Sequence, residues 1–287
     1  MRTKTLLLAA GILLSALAGL AARKVTNKDF DEAVKAFNEE HYESALALFN
    51  KVVAQKPENG YAWAFIASIK QEGKMTDEAL EAAQKAIQAI PASDSSFLAW
   101  THSELARIYV SRLDTTAALE ELTTSINLAP DDPDFRAYRG NLHQKHGDWE
   151  EAEADFKYII KHNPNTIDGL LGLGSVQGAQ DKHDEAIATF TQAITIDPND
   201  ADAYGYRAVE FYNTKRYGEA LNDAIQALSI QEDNKHALWL LPFISNQDAT
   251  MVIDSLEEKR KSDPSRSDYW EKILQRITSA PATPGRY

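Results

Sequence analysis

Residues 170–198 read Leu170-Leu171-Gly172-Leu173-Gly174 in one block and Ala186, Phe190 and Ala193 in a second. Asp181-Lys182-His183 lie between the blocks and Pro198 closes them. Within each block apolar residues return three or four positions apart, the spacing that lines one side of a helix. A polar break separates the two, and proline cannot continue a helix. The stretch predicts two helices joined by a short turn.

The same pattern returns along the chain. Prolines stand at Pro57, Pro91, Pro130, Pro164 and Pro198, separated by 34, 39, 34 and 34 residues. The alanine that opens the second helix recurs as Ala45, Ala79, Ala118, Ala152, Ala186 and Ala220. A small residue in the first helix recurs as Ala33, Ala67, Ala106, Gly140, Gly174 and Ala208. Three columns in one register define a repeat.

This pattern resembles the tetratricopeptide repeat, with its leucine-small-residue first helix, its A-x3-F second helix, its terminal proline and its period of about 34 residues. The resemblance implies an all-α, right-handed superhelical solenoid of helix-turn-helix repeats whose first helices line a concave groove. It implies a non-enzymatic protein-interaction scaffold. Six repeats are expected over residues 23–234, then a degenerate repeat and capping helices over 235–279 and a disordered tail over 280–287.

Composition narrows the partners. A formal charge of -13 is wrong for nucleic acid, whose phosphates need a basic face, and for an anionic membrane surface. Cysteine is absent, which removes disulfides, thiolate metal sites, cysteine nucleophiles and the lipoprotein route to a membrane. The head Met1-Arg2-Thr3-Lys4 is basic, and residues 6–22 are apolar apart from small residues and Ser15. That is the form of a secretory signal peptide, with Ala16-Leu17-Ala18 and Gly19-Leu20-Ala21 as cleavage options. The alternative is an uncleaved anchor, near the lower limit of about 17 to 25 residues for a spanning helix. Export to a periplasm or cell envelope is expected.

Several local features carry expectations. Gly73 marks the turn of the second repeat and Thr76 the N-cap after it. Five extra residues, Ala92-Ser93-Asp94-Ser95-Ser96, lengthen a loop or a helix end, or form a lip over the groove. At the joints, Asp131-Asp132-Pro133, Asn163-Pro164-Asn165 and Asp197-Pro198-Asn199-Asp200 combine a helix-ending proline with Asp or Asn caps. Pro242 is expected to kink a seventh first helix. Trp270, Ile273, Leu274 and Ile277 mark the apolar stripe of a last helix.

No Gly-rich phosphate loop, GxSxG, HExxH or paired-Cys motif occurs, so neither an enzyme nor a cofactor is expected. His143 and His146, with Asp148 nearby, approach a metal site but lack a further ligand; a solvated helix end is the simpler reading. Asp197, Asn199, Asp200 and Asp202 lack the central glycine and closing glutamate of a calcium loop, and capping accounts for them.

Binding is better supported. Groove positions two, five, nine, twelve and thirteen of the first helices carry Asn27, Phe30, Phe37 and Asn38, then Tyr61, Gln71 and Glu72, then Trp100, Ser103, Arg107 and Ser111. Asn141, Gln144, Lys145, Ser175, Tyr212 and Asn213 follow. Rings supply contact area and amides pair with backbone groups, so an extended peptide is the expected ligand. Its candidate site is Tyr61, Trp100, Arg107, Asn141, Gln144, Lys145, Tyr212 and Asn213, with Trp100 and Arg107 as its test. Some arrays of this type clamp C-terminal carboxylates with a lysine at position five and asparagine at nine. Here Asn141 is at nine but Ala137 is at five, which argues against chaperone-tail binding. The other reading is a structural component that self-associates through Trp239, Phe243, Trp270 and Ile273.

Overall fold

The computed structural model describes residues 28–279, and within them the chain is a succession of helical hairpins. The expected signal or anchor, Asn27 and the C-terminal tail lie outside the described residues. Fifteen α-helices are described. The first pairs are α1 (Lys28–Asn38) with α2 (Tyr42–Gln55), α3 (Gly60–Glu72) with α4 (Thr76–Ala89), and α5 (Ser95–Ser111) with α6 (Thr115–Leu128). Next come α7 (Pro133–His146) with α8 (Trp149–His162), α9 (Ile167–Ala179) with α10 (His183–Ile196), and α11 (Ala201–Asn213) with α12 (Tyr217–Ile230). A seventh pair, α13 (Lys235–Gln247) and α14 (Ala249–Ser262), precedes a 3-10 turn (Pro264–Arg266) and α15 (Ser267–Ser279). No described helix is long and apolar enough to cross a membrane.

The chain forms two compact units that divide between Leu142 and His143. In the first, Phe30, Phe49, Phe65, Phe97 and Trp100 form a continuous aromatic core. Phe49 and Phe65 stack at 4.8 Å, and Trp100 lies 5.3 Å from Phe65 and 5.0 Å from Phe97. In the second, the small column explains itself. A Cβ on Gly174 would come within 2.6 Å of the buried Phe190 ring, so the glycine lets α9 and α10 close on one another.

The turn inside each of the first six repeats is closed by a backbone bond, while in the seventh pair the Asp248 side chain caps α14. Glu40, Lys74, Leu113, Gly147, Asp181 and Lys215 all have positive φ. They recur with the period of the repeat. The amide after each donates back five residues, as in His41 N to Ala36 O at 2.9 Å, Asp114 N to Tyr109 O at 3.0 Å and Arg216 N to Phe211 O at 2.8 Å. This is the Schellman closure of a helix, which ordinarily favours glycine at the left-handed residue. The left-handed residue of the second repeat is therefore Lys74, while Gly73 has φ -74. Nor does Thr76 cap α4: Met75 holds the cap position and makes no side-chain cap bond, while its amide donates to Lys70 O at 2.9 Å.

Joints between repeats use side-chain caps. Asn59 accepts from Ala62 N at 3.0 Å, Asp200 from Ala203 N at 2.8 Å, and Asn234 from Ala237 N at 3.1 Å. Each such cap contributes about 1 kcal/mol. At the fifth repeat the cap is Thr166, through Gly169 N, in place of the asparagines beside Pro164. The insertion lengthens a helix end: α5 has 17 residues against 13 for α3, with Ala92 and Ser93 in the turn before it, Asp94 as its N-cap, and Ser95 and Ser96 as its first residues.

Helix α13 runs through Pro242 without interruption. Proline there removes one bond to Leu238 O but does not end the helix. In the second unit α15 seals the seventh pair. Trp270 and Ile273 are buried with Leu240, Leu241 and Leu256, Arg266 Nη1 donates to Ser229 O at 2.8 Å, and Tyr269 Oη donates to Glu232 O at 2.8 Å. Trp270 and Ile273 belong to this closed cap and offer no surface to another subunit.

Candidate functional site

The first helices of each unit present the residues that the repeat register selects, at unequal depth. In the first unit, Tyr61 and Trp100 are 6% and 1% exposed. Tyr61 packs on Phe97 at 4.9 Å and its hydroxyl donates to Asp94 at 2.7 Å; Trp100 fills the aromatic core. Both are corrected from ligand-binding to core residues. Ser103, also buried, donates to Trp100 O at 2.7 Å, and Phe30 is core as well.

Arg107 is a structural cation. Its Nη1 donates to both oxygens of Glu104 at 2.9 Å, and Nη2 reaches Glu72. Glu104 is 3% exposed, so the guanidinium compensates a buried carboxylate, and attraction to Glu104 pushes the arginine's pKa further up. Gln71 Nε2 donates to Ser111 Oγ and, at 3.4 Å, to Arg107 O. Two tyrosines border this network. Burial pushes the Tyr138 phenol up to about 12, with Arg107 opposing and Glu104 adding to the effect. The Tyr42 phenol is raised by burial and then by Glu40 and Glu72. Asn141, within α7, is half-buried.

In the second unit Gln144 Nε2 donates to Ser175 Oγ at 2.6 Å, tying α7 to α9. Lys145 is exposed. Tyr212 is half-buried, 5.5 Å from Tyr217 and 6.3 Å from Phe243. Asn213 is exposed, its Nδ2 3.4 Å from Glu210 Oε2. That same oxygen lies 2.7 Å from His183 Nδ1. Trp239 and Phe243, with ring centres 4.7 Å apart, occupy positions five and nine of α13. They continue the first-helix face that Tyr212 begins. Sequence reasoning assigned them to an end of the stack; the same position count, carried one repeat further, would have found them.

The remaining candidates for chemistry have local duties. His143 and His146 both direct Nδ1 at Asp148, at 3.1 and 3.3 Å. Those hydrogen bonds, His143 first, hold its carboxyl below the usual range. Asp197 accepts from Asn199 N at 2.8 Å, and Asp202 from Asn234 Nδ2 at 3.1 Å. Among the described residues no group of three His, Cys, Asp or Glu is placed to hold a metal ion.

Comparison with known proteins agrees with this architecture. A family model described as tetratricopeptide repeat matches residues 30–94, 103–167, 139–201 and 171–235. The Protein SGT1 homolog of Bos taurus is 25% identical over 169 residues, covering 59% of this chain and 48% of that protein. The chain thus spans about half the length of that relative. Among solved structures, the C-terminal part of a TPR repeat-containing protein from Cytophaga hutchinsonii superposes with a TM-score of 0.65 at 15% identity, over 84% of this chain and 98% of that one. YrrB, described as a TPR protein with an unusual peptide-binding site, matches with a TM-score of 0.51 at 19% identity, over 66% and 95% of the two chains. At these identities the structural likeness shows the fold alone.

Proposed function

Since the chain belongs to the tetratricopeptide repeat family, we propose that it is an exported, non-enzymatic scaffold holding an extended protein segment against the first-helix face of each unit. Tetratricopeptide proteins are protein-interaction scaffolds; the finer reading rests on what these faces carry. The observation that carries it is the row on the second unit, where Gln144, Lys145, Ser175, Asn213 and the half-buried rings of Tyr212, Trp239 and Phe243 follow one another on successive first helices. Amides offer both a donor and an acceptor to a peptide backbone, and rings give area at small entropy cost. The peptide-binding site described for YrrB is consistent with this use of the fold. Export is supported by the basic head and apolar run of residues 1–22.

The test is capture of partners from the native envelope by three forms of the chain. Recovery by wild type and by a second-helix control, Lys157→Ala/Gln192→Ala, with loss for Gln144→Ala/Lys145→Ala/Asn213→Ala, supports the reading. Equal recovery by all three would move the site to another surface.

A further inference from the structure

The first unit carries a charge imbalance at one aromatic corner, and its consequence rests on the peptide-binding reading above. The rings of Phe37 and Tyr42 meet edge to face at 5.6 Å, and both are half-buried. Around the Tyr42 phenol stand Glu40, Glu72 and Glu104 against one cation, Arg107. That cation is committed, since Glu104 takes Nη1 in both oxygens and Glu72 takes Nη2. Glu40 and Glu72 are exposed, and Glu40 makes no ion pair among the described residues. Three carboxylates to one guanidinium leave two negative charges beside two half-buried rings, of which Phe37 also meets Phe65 at 5.1 Å.

We infer that this corner, formed by Phe37, Glu40, Tyr42 and Glu72, receives a cationic side chain, arginine or lysine, of the bound segment. A guanidinium or ammonium is drawn to the face of an aromatic ring and forms its stronger hydrogen bonds with carboxylates. An acidic side chain at the same place would face the surplus charge and be rejected. The raised pKa of the Tyr42 phenol, in part from Glu40 and Glu72, reports the same negative potential. A cation bound there would draw that pKa down.

The test selects peptides from a phage-displayed library of random dodecamers on the full chain, then titrates the enriched peptides, labelled with fluorescein, by anisotropy. The expected result is an arginine or lysine at a fixed place in the enriched peptides. Replacing it by glutamine weakens binding about three- to tenfold, the scale of exposed ion-pair and cation–ring contacts. Glu40→Gln/Glu72→Gln weakens the parent peptide by a similar factor and leaves the glutamine peptide unchanged. Glu43→Gln/Glu58→Gln, an equal charge change at exposed sites, leaves both unchanged. Enriched peptides without a fixed cation would overturn the inference while the peptide-binding reading stands. So would equal weakening by the two double variants, which would mean general attraction to an acidic chain. A library that yields no binder overturns the peptide-binding reading and this inference with it.

Discussion

Arg107 and Glu104, three residues apart on α5, form a bidentate ion pair in which both carboxylate oxygens accept from Nη1 at 2.9 Å. Glu104 is 3% exposed, so the pair is a fixed part of the first unit. Arg107→Ala leaves a buried carboxylate without its cation, and the cost of such a break is on the order of 3 kcal/mol. Urea unfolding is expected to show a lowered midpoint for Arg107→Ala and partial recovery in Glu104→Ala/Arg107→Ala. An unchanged midpoint for the single variant would mean that the carboxylate reaches water.

The left-handed column separates backbone strain from packing. Leu113 has φ 62 and is 89% exposed, so little packing is lost when its side chain is removed. A non-glycine residue in this conformation costs roughly 1–2 kcal/mol, partly offset by the unfolded-state freedom that glycine adds. Leu113→Gly is therefore expected to raise the melting temperature by a few degrees. Gly147→Ala, at φ 91 in the same place of its repeat, is expected to lower it. Shifts of the same sign in the two variants would contradict the account.

Packing at the small column is tested at Gly174. With Phe190 only 2.6 Å from a built Cβ, Gly174→Val forces the helices apart at a cost of roughly 1–3 kcal/mol. Gly218, in α12, has nothing within 4 Å of its built Cβ, so Gly218→Ala is expected to stabilise by up to about 1 kcal/mol through helix propensity. Thermal melts of the two variants should move in opposite directions.

Acid should act on the cap of the second unit. Asp263 accepts from Ser265 Oγ at 2.7 Å, Trp270 Nε1 at 3.3 Å and Arg266 Nε at 2.9 Å. The Ser265 and Trp270 bonds, followed by that with Arg266, hold its carboxyl down to about 2, against an ordinary 3.8. A folded pKa below the unfolded one gives stability that is present above the unfolded value and lost as pH falls toward the folded one. The window is thus about pH 4 to 2. Asp263→Asn is expected to flatten the decline in melting temperature across that window. An identical acid slope in the variant would remove Asp263 from the account.

The repeat was legible because stacking leaves a periodic mark. Each hairpin buries its side only against neighbours, so Ala186, Gly174 and their equivalents must stay small at fixed intervals. The left-handed column was not, since Gly147 is its only glycine and Lys74 or Leu113 carries no sign of positive φ. The candidate site was legible as a set of helix faces but not in depth. Register gives the direction of a side chain from its own helix, while Tyr61 and Trp100 are buried by rings of adjacent repeats. Arg107 reads as a free cation until Glu72, 35 residues earlier, closes on it. Such pairings depend on the distance between repeats, which a one-dimensional pattern does not contain.

Photo-crosslinking tests the first-helix surface most directly. A benzophenone amino acid is placed singly at Lys145 and Asn213 on first helices, and at Ala154 and Ala188 on second helices, all four exposed. Each chain is irradiated with the captured partner. The account predicts crosslinks from Lys145 and Asn213 and none from Ala154 and Ala188; crosslinks mainly from the second helices, or a chain that captures nothing, would contradict it.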